Sequence, residues 1–240
     1  MKWKDLEETM SVTHLIRMQL EAFKSNTNTA VTIGVLDGVH LGHQALLKCL
    51  CNEAQVKGLE PGVITLHPHP ITVLKPEITA RYLTSLEERI TLLKEHGAKW
   101  VAPLTFTSEL AEMTAEELAE ELYKTLGMRL LVLGPDAAFG RGAPQDTVDR
   151  METLGKKIGF ETITIKPFLV SDEPCSSTRI RKALDEGLME EVKILLGRYY
   201  RLAGPVVHGY ERGRTLGYPT ANISVAANRS LPALGVYATR

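Results

Sequence analysis

Short apolar runs alternate with amphipathic stretches along most of the chain. Five runs have the length and the β-forming residues of strands, at 31–36, 62–66, 100–106, 129–133 and 160–165. Four amphipathic stretches predict helices at 41–56, 85–97, 114–127 and 147–159. Two of them begin with a predicted capping box, at Ser85–Glu88 and Thr114–Glu117. This alternation predicts an α/β fold, in which helices cover both faces of a parallel sheet.

The pattern changes after Ser176. Two helices are predicted at 177–185 and 189–196, and from Tyr200 the chain is rich in glycine and in apolar β-forming residues. We therefore expect an α/β domain over residues 1–196 and a β-rich unit over 197–240. Because about 40 residues are fewer than a small barrel needs for its own core, the second unit is predicted to be an incomplete β-barrel.

Composition excludes several classes of partner. The 240 residues carry a formal charge of −1, so no general positive field attracts nucleic acid or anionic membrane. No apolar run approaches the roughly 20 residues of a membrane span, and the first residues do not resemble a signal peptide. The three cysteines (Cys49, Cys51 and Cys175) form no CxxC pair. We expect a cytoplasmic protein whose anionic ligands are held by a local site, and the oligomeric state is left open.

The segment Gly34–His43, with the sequence GVLDGVHLGH, carries the strongest chemical signal. It joins the first predicted strand to the first long helix, where free backbone N–H groups favour phosphate. Gly38 and Gly42 allow the backbone to approach a ligand closely. His40 and His43 are three residues apart and can both donate hydrogen bonds to charge that develops on phosphate. The alternative is a pair of surface histidines beside a glycine turn.

A second polar cluster, Ser176–Arg181, lies at the head of a predicted helix. Ser176, Ser177 and Thr178 can cap the helix and offer hydroxyl groups to phosphate, and Arg179 and Arg181 add positive charge. The alternative is an ordinary capped helix with solvated arginines. Together with the histidine segment, the cluster favours phosphate binding.

Three further segments contain candidate ligand contacts. His69 lies between two prolines that hold the backbone extended, which favours a loop beside a pocket over a metal site, although a purely structural role fits equally. Asp136 follows the predicted strand 129–133 at the carboxyl edge of the sheet, where ligands bind. Thr220 and Asn222, within the sequence PTAN, offer two hard oxygen atoms, although a β-turn would account for the same residues.

These motifs and their order resemble the nucleotidyltransferases with an HxGH signature, and within them the bacterial bifunctional riboflavin kinase/FAD synthetases. The resemblance implies a Rossmann-like domain in which the FMN phosphate attacks the α-phosphorus of ATP, giving FAD and pyrophosphate. It implies nucleotide contacts at Gly34, Asp37, Gly38, Gly42, His69 and Asp136. Ser176, Ser177, Thr178 and Arg179 would hold the triphosphate, and Arg181 would add a further contact to the nucleotide. His40, His43 and Arg179 would be the catalytic set.

The resemblance also implies Mg²⁺ as the cofactor, with Thr220 and Asn222 contacting Mg-ATP in a riboflavin kinase site. In the family the catalytic carboxylate of the kinase follows later in the sequence, so we expect no phosphorylation of riboflavin by these 240 residues. Leu36 and Ala137 stand where the family commonly has aromatic residues, which predicts less aromatic surface around the flavin or in the core beneath it.

Other functions stay open at this point. A related transferase could act on another phosphate acceptor, and a longer chain could be a complete flavokinase. A flavin- or nucleotide-binding module without catalysis is the alternative from a different class.

Overall fold

The computed structural model describes residues 11–141, 147–210, 213, 217–218 and 220–239. Its helices are α1 (Val12–Glu21), α2 (Leu41–Lys57), α3 (Pro70–Leu74), α4 (Leu86–Glu95), α5 (Ser108–Glu112), α6 (Ala115–Leu126), α7 (Thr147–Ile158), α8 (Ser177–Asp185) and α9 (Met189–Leu196). Its strands are β1 (Thr29–Gly34), β2 (Glu60–His67), β3 (Trp100–Thr105), β4 (Met128–Leu133), β5 (Glu161–Thr164), β6 (Leu169–Val170), β7 (Glu173–Pro174), β8 (Val206–Val207) and β9 (Asn222–Ile223).

The central sheet contains five strands in the order β3-β2-β1-β4-β5, and every neighbouring pair is parallel. This confirms the predicted α/β fold. The chain builds outward from β1 to β3 and then returns to the other side of β1 with β4. Ligands of open parallel sheets bind where the strand order reverses, beyond the carboxyl ends of the strands. Here that place is bordered by the segments that follow β1 and β4.

Apolar side chains pack against both faces of the sheet, as the alternating pattern predicts. One face is covered by α1, α6 and α7, through residues such as Leu20, Leu122 and Met151. The other is covered by α2 and α4, through residues such as Leu50 and Leu93. Burying each such side chain contributes about 1.5–3 kcal/mol, so packing on both faces stabilises the sheet.

The two predicted capping boxes have different outcomes. At Thr114 both bonds are present, because the hydroxyl accepts from the Glu117 N–H and the Glu117 carboxylate accepts from the Thr114 N–H. At Ser85 the hydroxyl accepts from the Glu88 N–H at 3.1 Å, but the Glu88 carboxylate is paired with Arg229 at 3.0 Å. A tertiary ion pair has replaced the second half of that box.

The sequence pattern missed three helices and one β-hairpin. They are α1, the short helices α3 and α5, and the two-residue strands β6 and β7, which pair antiparallel. The segment at His69 is extended as predicted, with φ −60° and ψ 130°, but a helix rather than a loop follows. Pro70 opens that helix because proline lacks only an N–H that the first turn does not use.

A third apolar cluster lies beside the carboxyl edge, where α8 and α9 pack on Leu83. The chain beyond α9 returns to this place. The Tyr82 N–H donates to the Asn228 carbonyl at 2.7 Å, the Ser230 N–H to the Tyr82 carbonyl at 2.8 Å, and the Ala233 N–H to the Leu184 carbonyl at 2.8 Å. We call residues 228–233 the C-terminal brace, because they tie the later part of the chain to the α/β domain.

Beyond α9, the described residues contain the antiparallel pair β8 and β9, and Arg229 forms an isolated parallel bridge with Tyr82. The predicted domain boundary at residue 196 falls at the end of α9, and the division into two domains stays a prediction. Within the described part of the chain, no helix combines the length and the hydropathy that crossing a membrane requires.

Candidate active site

The turn between β1 and α2 has an unusual backbone. Leu36, Gly38 and Val39 all have positive φ, at 52°, 83° and 40°. A side chain at Gly38 would place its Cβ 2.8 Å from a Leu83 methyl carbon, so both the conformation and the space require glycine. Left-handed backbone at two non-glycine residues is costly and is concentrated at functional sites. This turn delivers His40 to the N-terminus of α2.

His40 and His43 lie together at that helix end. Their rings stack with centroids 3.7 Å apart, and His40 is buried. Burial lowers the pKa of His40 to about 4, and nearby Arg181 and Arg198 act in the same direction against Asp37. Burial, followed by the neighbouring His40, also holds the pKa of His43 well below its usual value. Both imidazoles are therefore neutral near neutral pH and act as hydrogen-bonding groups rather than as cations.

Gly42 keeps this arrangement tight. A Cβ there would lie 3.1 Å from the His40 ring and 3.2 Å from the Cys175 carbonyl. The Cys175 thiol is also 3.6 Å from Nδ1 of His40. The buried Nδ1 atom of His43 has no hydrogen-bond partner among the described residues. A buried polar atom without a partner is costly, which suits a group that completes its bonding with a ligand.

Asp37 is buried within protein donors. Its carboxylate accepts from the backbone N–H groups of Leu83 and Thr84 at 2.9 and 3.1 Å, and from the Thr84 hydroxyl at 3.0 Å. Arg181 donates to it at 2.6 Å and Arg89 at 3.5 Å. The side chain thus joins the turn after β1 to the head of α8. All of these donors belong to the protein, so the carboxylate has its hydrogen-bond partners without a ligand. The predicted nucleotide contact at Asp37 stays a prediction.

The second motif lies directly against the first. Ser176 is the N-cap of α8, and its hydroxyl accepts from the Arg179 N–H at 3.2 Å. The Ser177 hydroxyl donates to the Asp37 carbonyl at 2.9 Å, and Thr178 is exposed at the same helix end. The N-termini of α2 and α8 therefore converge, and both present partial positive charge to one place.

The two arginines of this motif are already engaged. Arg179 donates to a carboxylate oxygen of Glu191 at 2.9 Å and to the Val170 carbonyl at 2.9 Å. Arg181 donates to Asp37 and to the Arg81 carbonyl, each at 2.6 Å. Arg179 also lies 3.6 Å from a carboxylate oxygen of Glu173, so a phosphate bound by Arg179 would have to replace two carboxylate partners. Arg181 holds the two motifs together.

The remaining predicted residues lie apart from this core or serve the fold. Nδ1 of His69 accepts from the Ile71 N–H at 3.2 Å, so its ring caps α3. Gly34 is the last residue of β1, and Asp136 is exposed just after β4, on the same edge of the sheet. Leu36 is buried against the α2 face of the sheet, so the missing aromatic residue there concerns packing rather than a flavin ring.

Ala137, Thr220 and Asn222 lie outside the cluster formed by the two motifs. Ala137 is partly buried against the opposite core cluster. Thr220 and Asn222 are exposed, and Asn222 lies in β9, opposite Val207. Within the described part of the chain, no three His, Cys, Asp or Glu side chains are grouped as a metal site.

Sequence reasoning missed two arginines that organise the site. Arg89 of α4 is fully buried and donates to the Val35 carbonyl at 2.9 Å as well as to Asp37. Its position four residues before the buried Leu93 was a signal, since it puts a charged residue on the apolar stripe of α4. Arg198, just beyond α9, donates to the Gly38 carbonyl at 2.7 Å, and no local pattern indicated it.

Comparisons with known proteins identify the family of this chain. The FAD synthetase family model matches residues 22–179, and the riboflavin kinase family model matches residues 196–240. A bifunctional riboflavin kinase/FMN adenylyltransferase of Listeria monocytogenes is 35% identical over 90% of this chain and 68% of its own length. The protein of the same name from Escherichia coli is 35% identical over 87% of this chain and 66% of its own length.

A solved structure extends the likeness to the fold. A crystal structure described as a macrolide-efflux protein from Streptococcus pneumoniae superposes with a TM-score of 0.78 at 32% identity, covering 90% of this chain and 71% of that one. Matches to both family models, in this order along one chain, and relatives at this identity define the family. The chain belongs to the bifunctional riboflavin kinase/FMN adenylyltransferase family.

Proposed function

We propose that this chain is an FMN adenylyltransferase, which transfers AMP from ATP to the phosphate of FMN and releases pyrophosphate. The observation that carries the proposal is the convergence of two helix N-termini around the stacked, neutral His40 and His43. Its placement at the switch point of a parallel sheet suits a nucleotide, and membership of the family supplies the reaction.

The chemistry needs orientation and charge stabilisation more than a base. The FMN phosphate is already anionic near neutral pH, so one of its oxygens can attack the α-phosphorus of ATP directly. A bond forms between that oxygen and phosphorus while the bond to the leaving pyrophosphate breaks. Neutral His40 and His43 would donate hydrogen bonds to the non-bridging oxygens, where charge grows during the transfer. Burial keeps both imidazoles neutral for this task.

The head of α8 would hold the triphosphate. Thr178 is exposed there, and the hydroxyl of Ser177 lies one hydrogen bond from the Asp37 carbonyl of the first motif. Arg179 would leave Glu191 and Glu173 for the phosphates, so that anionic oxygens still surround its guanidinium. Mg²⁺ would enter bound to ATP, as part of the substrate, and offset its charge.

Riboflavin kinase is the second candidate function, because residues 196–240 match that family model. Thr220 and Asn222 supply two neutral oxygens, fewer than the six ligands that Mg²⁺ prefers, so they fit Mg-ATP only where phosphates and water complete the sphere. The strands β8 and β9 have two residues each, and Val206 and Ile223 are exposed. We therefore expect the 240-residue polypeptide, assayed alone with riboflavin and Mg-ATP, to form no FMN.

The decisive experiment incubates the purified chain with FMN and ATP labelled at the α-phosphate. We expect labelled FAD, with one pyrophosphate released per FAD formed. Parallel reactions with other mononucleotides distinguish FMN from another phosphate acceptor. Binding of FMN and ATP without turnover would overturn the proposal in favour of a non-catalytic module.

A further inference from the structure

We infer that Arg198 is a positioning residue for adenylyl transfer, which fixes the left-handed turn before His40 and thereby places the His40 ring. The inference rests on the proposed function. Arg198 lies 160 residues beyond Gly38 in sequence, just after α9, and is not part of either motif.

The contacts of Arg198 converge on backbone carbonyls. Its guanidinium donates to Gly38 at 2.7 Å, to Val39 at 3.2 Å and to Leu196 at 3.3 Å. The side chain is partly buried, and no carboxylate forms an ion pair with it among the described residues. One planar group thus joins two consecutive carbonyls of the strained turn to the last residue of α9.

This geometry exceeds the needs of an ordinary helix C-cap. A cation at the end of α9 satisfies that helix through the Leu196 carbonyl alone. The bonds to Gly38 and Val39 instead hold the two residues whose positive φ directs the chain into α2. Such backbone persists only where its surroundings enforce it, and Arg198 supplies that enforcement on the carbonyl side.

Gln44 reinforces part of this arrangement. Its side-chain amide donates to the Val39 carbonyl at 3.0 Å and to the Leu196 carbonyl at 2.9 Å. Two of the three carbonyls that Arg198 binds therefore have a second donor, whereas the shortest bond, to Gly38, comes from Arg198. Loss of the guanidinium would release the turn at Gly38 while Gln44 still holds α9 to α2. The expected damage is to the placement of His40 rather than to the fold.

The test replaces Arg198 by lysine, which keeps the charge but cannot span three carbonyls with a planar fork. We expect kcat for FAD synthesis to fall by about 10- to 100-fold, the scale of a small displacement of reacting groups, with the KM values for ATP and FMN within about threefold of wild type. Arg201→Lys is the matched control, because Arg201 is an exposed arginine of the same segment, and it should keep the wild-type rate.

A double variant separates positioning from a general loss of structure. In a His40→Ala background, Arg198→Lys should change kcat by less than about threefold, because Arg198 acts through the histidine that is already missing. Circular dichroism and thermal melting confirm that each variant is folded. An Arg198→Lys enzyme with normal kcat, or effects of the two substitutions that multiply, would overturn the inference. If the wild-type chain makes no FAD, the proposed function fails instead.

Discussion

Replacement of Asp37 by asparagine tests whether this carboxylate holds the site together. Asp37 is 2% exposed and is the charged partner of Arg89, which is fully buried, and of Arg181, which is 22% exposed. Asparagine keeps the shape and one acceptor oxygen but removes the negative charge. The two guanidinium groups then face an amide whose NH₂ group cannot accept their hydrogen bonds.

The size of the effect follows from the burial of Arg89. Removing one partner of a buried ion pair typically costs 3–5 kcal/mol, since an uncompensated charge stays inside the protein. Arg181 can turn toward water, and the remaining oxygen of asparagine still accepts a backbone N–H. We therefore expect Asp37→Asn to lower the free energy of unfolding by about 3 kcal/mol, the lower end of that range.

Urea unfolding followed by circular dichroism measures this loss. Asp185→Asn is the matched control, because Asp185 also pairs with an arginine, Arg81, but both side chains are about half exposed. Surface pairs contribute about 0–1 kcal/mol, so the control should be nearly as stable as the wild type. Equal and small losses for Asp37→Asn and Asp185→Asn would refute the assignment of Asp37 as the clamp between the two motifs.

Three further outcomes are expected. His43→Ala should fold normally yet lower the rate of FAD synthesis by roughly 10²–10³, the cost of losing one donor to developing charge, and unchanged turnover would remove His43 from the site. Arg179→Ala should weaken the binding of ATP by about 1.5–3 kcal/mol and the binding of FMN by less. Michaelis constants measured for each substrate check this, and a rise in the constant for FMN alone would contradict it. The pKa of His40 is lowered from 6.5 to about 4 on folding, so the unfolded chain binds the extra proton between these values. The contribution of neutral His40 to the free energy of unfolding is complete above pH 6.5 and is lost as the pH falls to about 4. Urea unfolding at several pH values should therefore show that this free energy depends less steeply on pH in His40→Gln than in the wild type.

Local patterns predicted the elements that are governed by local rules. The bounds of α8 and α9 and the capping box at Thr114 agree with the structure because polar caps and apolar spacing act within one helix. β1 was predicted two residues too late. Thr29 is polar but buried, with its hydroxyl bonded to the Leu126 carbonyl, whereas Leu36 is apolar but lies in the left-handed turn. Hydrophobicity alone therefore misplaced both ends of the strand.

In the site, too, local motifs could be predicted from the sequence, whereas contacts between distant residues could not. The HxGH and Ser-Ser-Thr-Arg segments could be recognised separately, and the structure brings them into contact through Ser177 and Asp37. The partners of the cations that fix their geometry could not be found this way. The place of Arg89 on the apolar stripe of α4 indicated a buried charge but not its partner Asp37, which lies 52 residues away, and no local pattern indicated that Arg198 reaches Gly38 across 160 residues.

The C-terminal brace has a consequence for dividing this protein into working fragments. A polypeptide cut at the apparent boundary after Leu196 would lose Arg198 and would leave the Tyr82 N–H and carbonyl without Asn228 and Ser230. Tyr82 immediately precedes the two backbone N–H groups that bind Asp37. Amide hydrogen exchange at Leu83 and Thr84 would then accelerate, although both residues lie far inside the excised piece. An adenylyltransferase fragment that keeps these hydrogen bonds therefore extends to residue 233, well beyond the boundary that the sequence indicates.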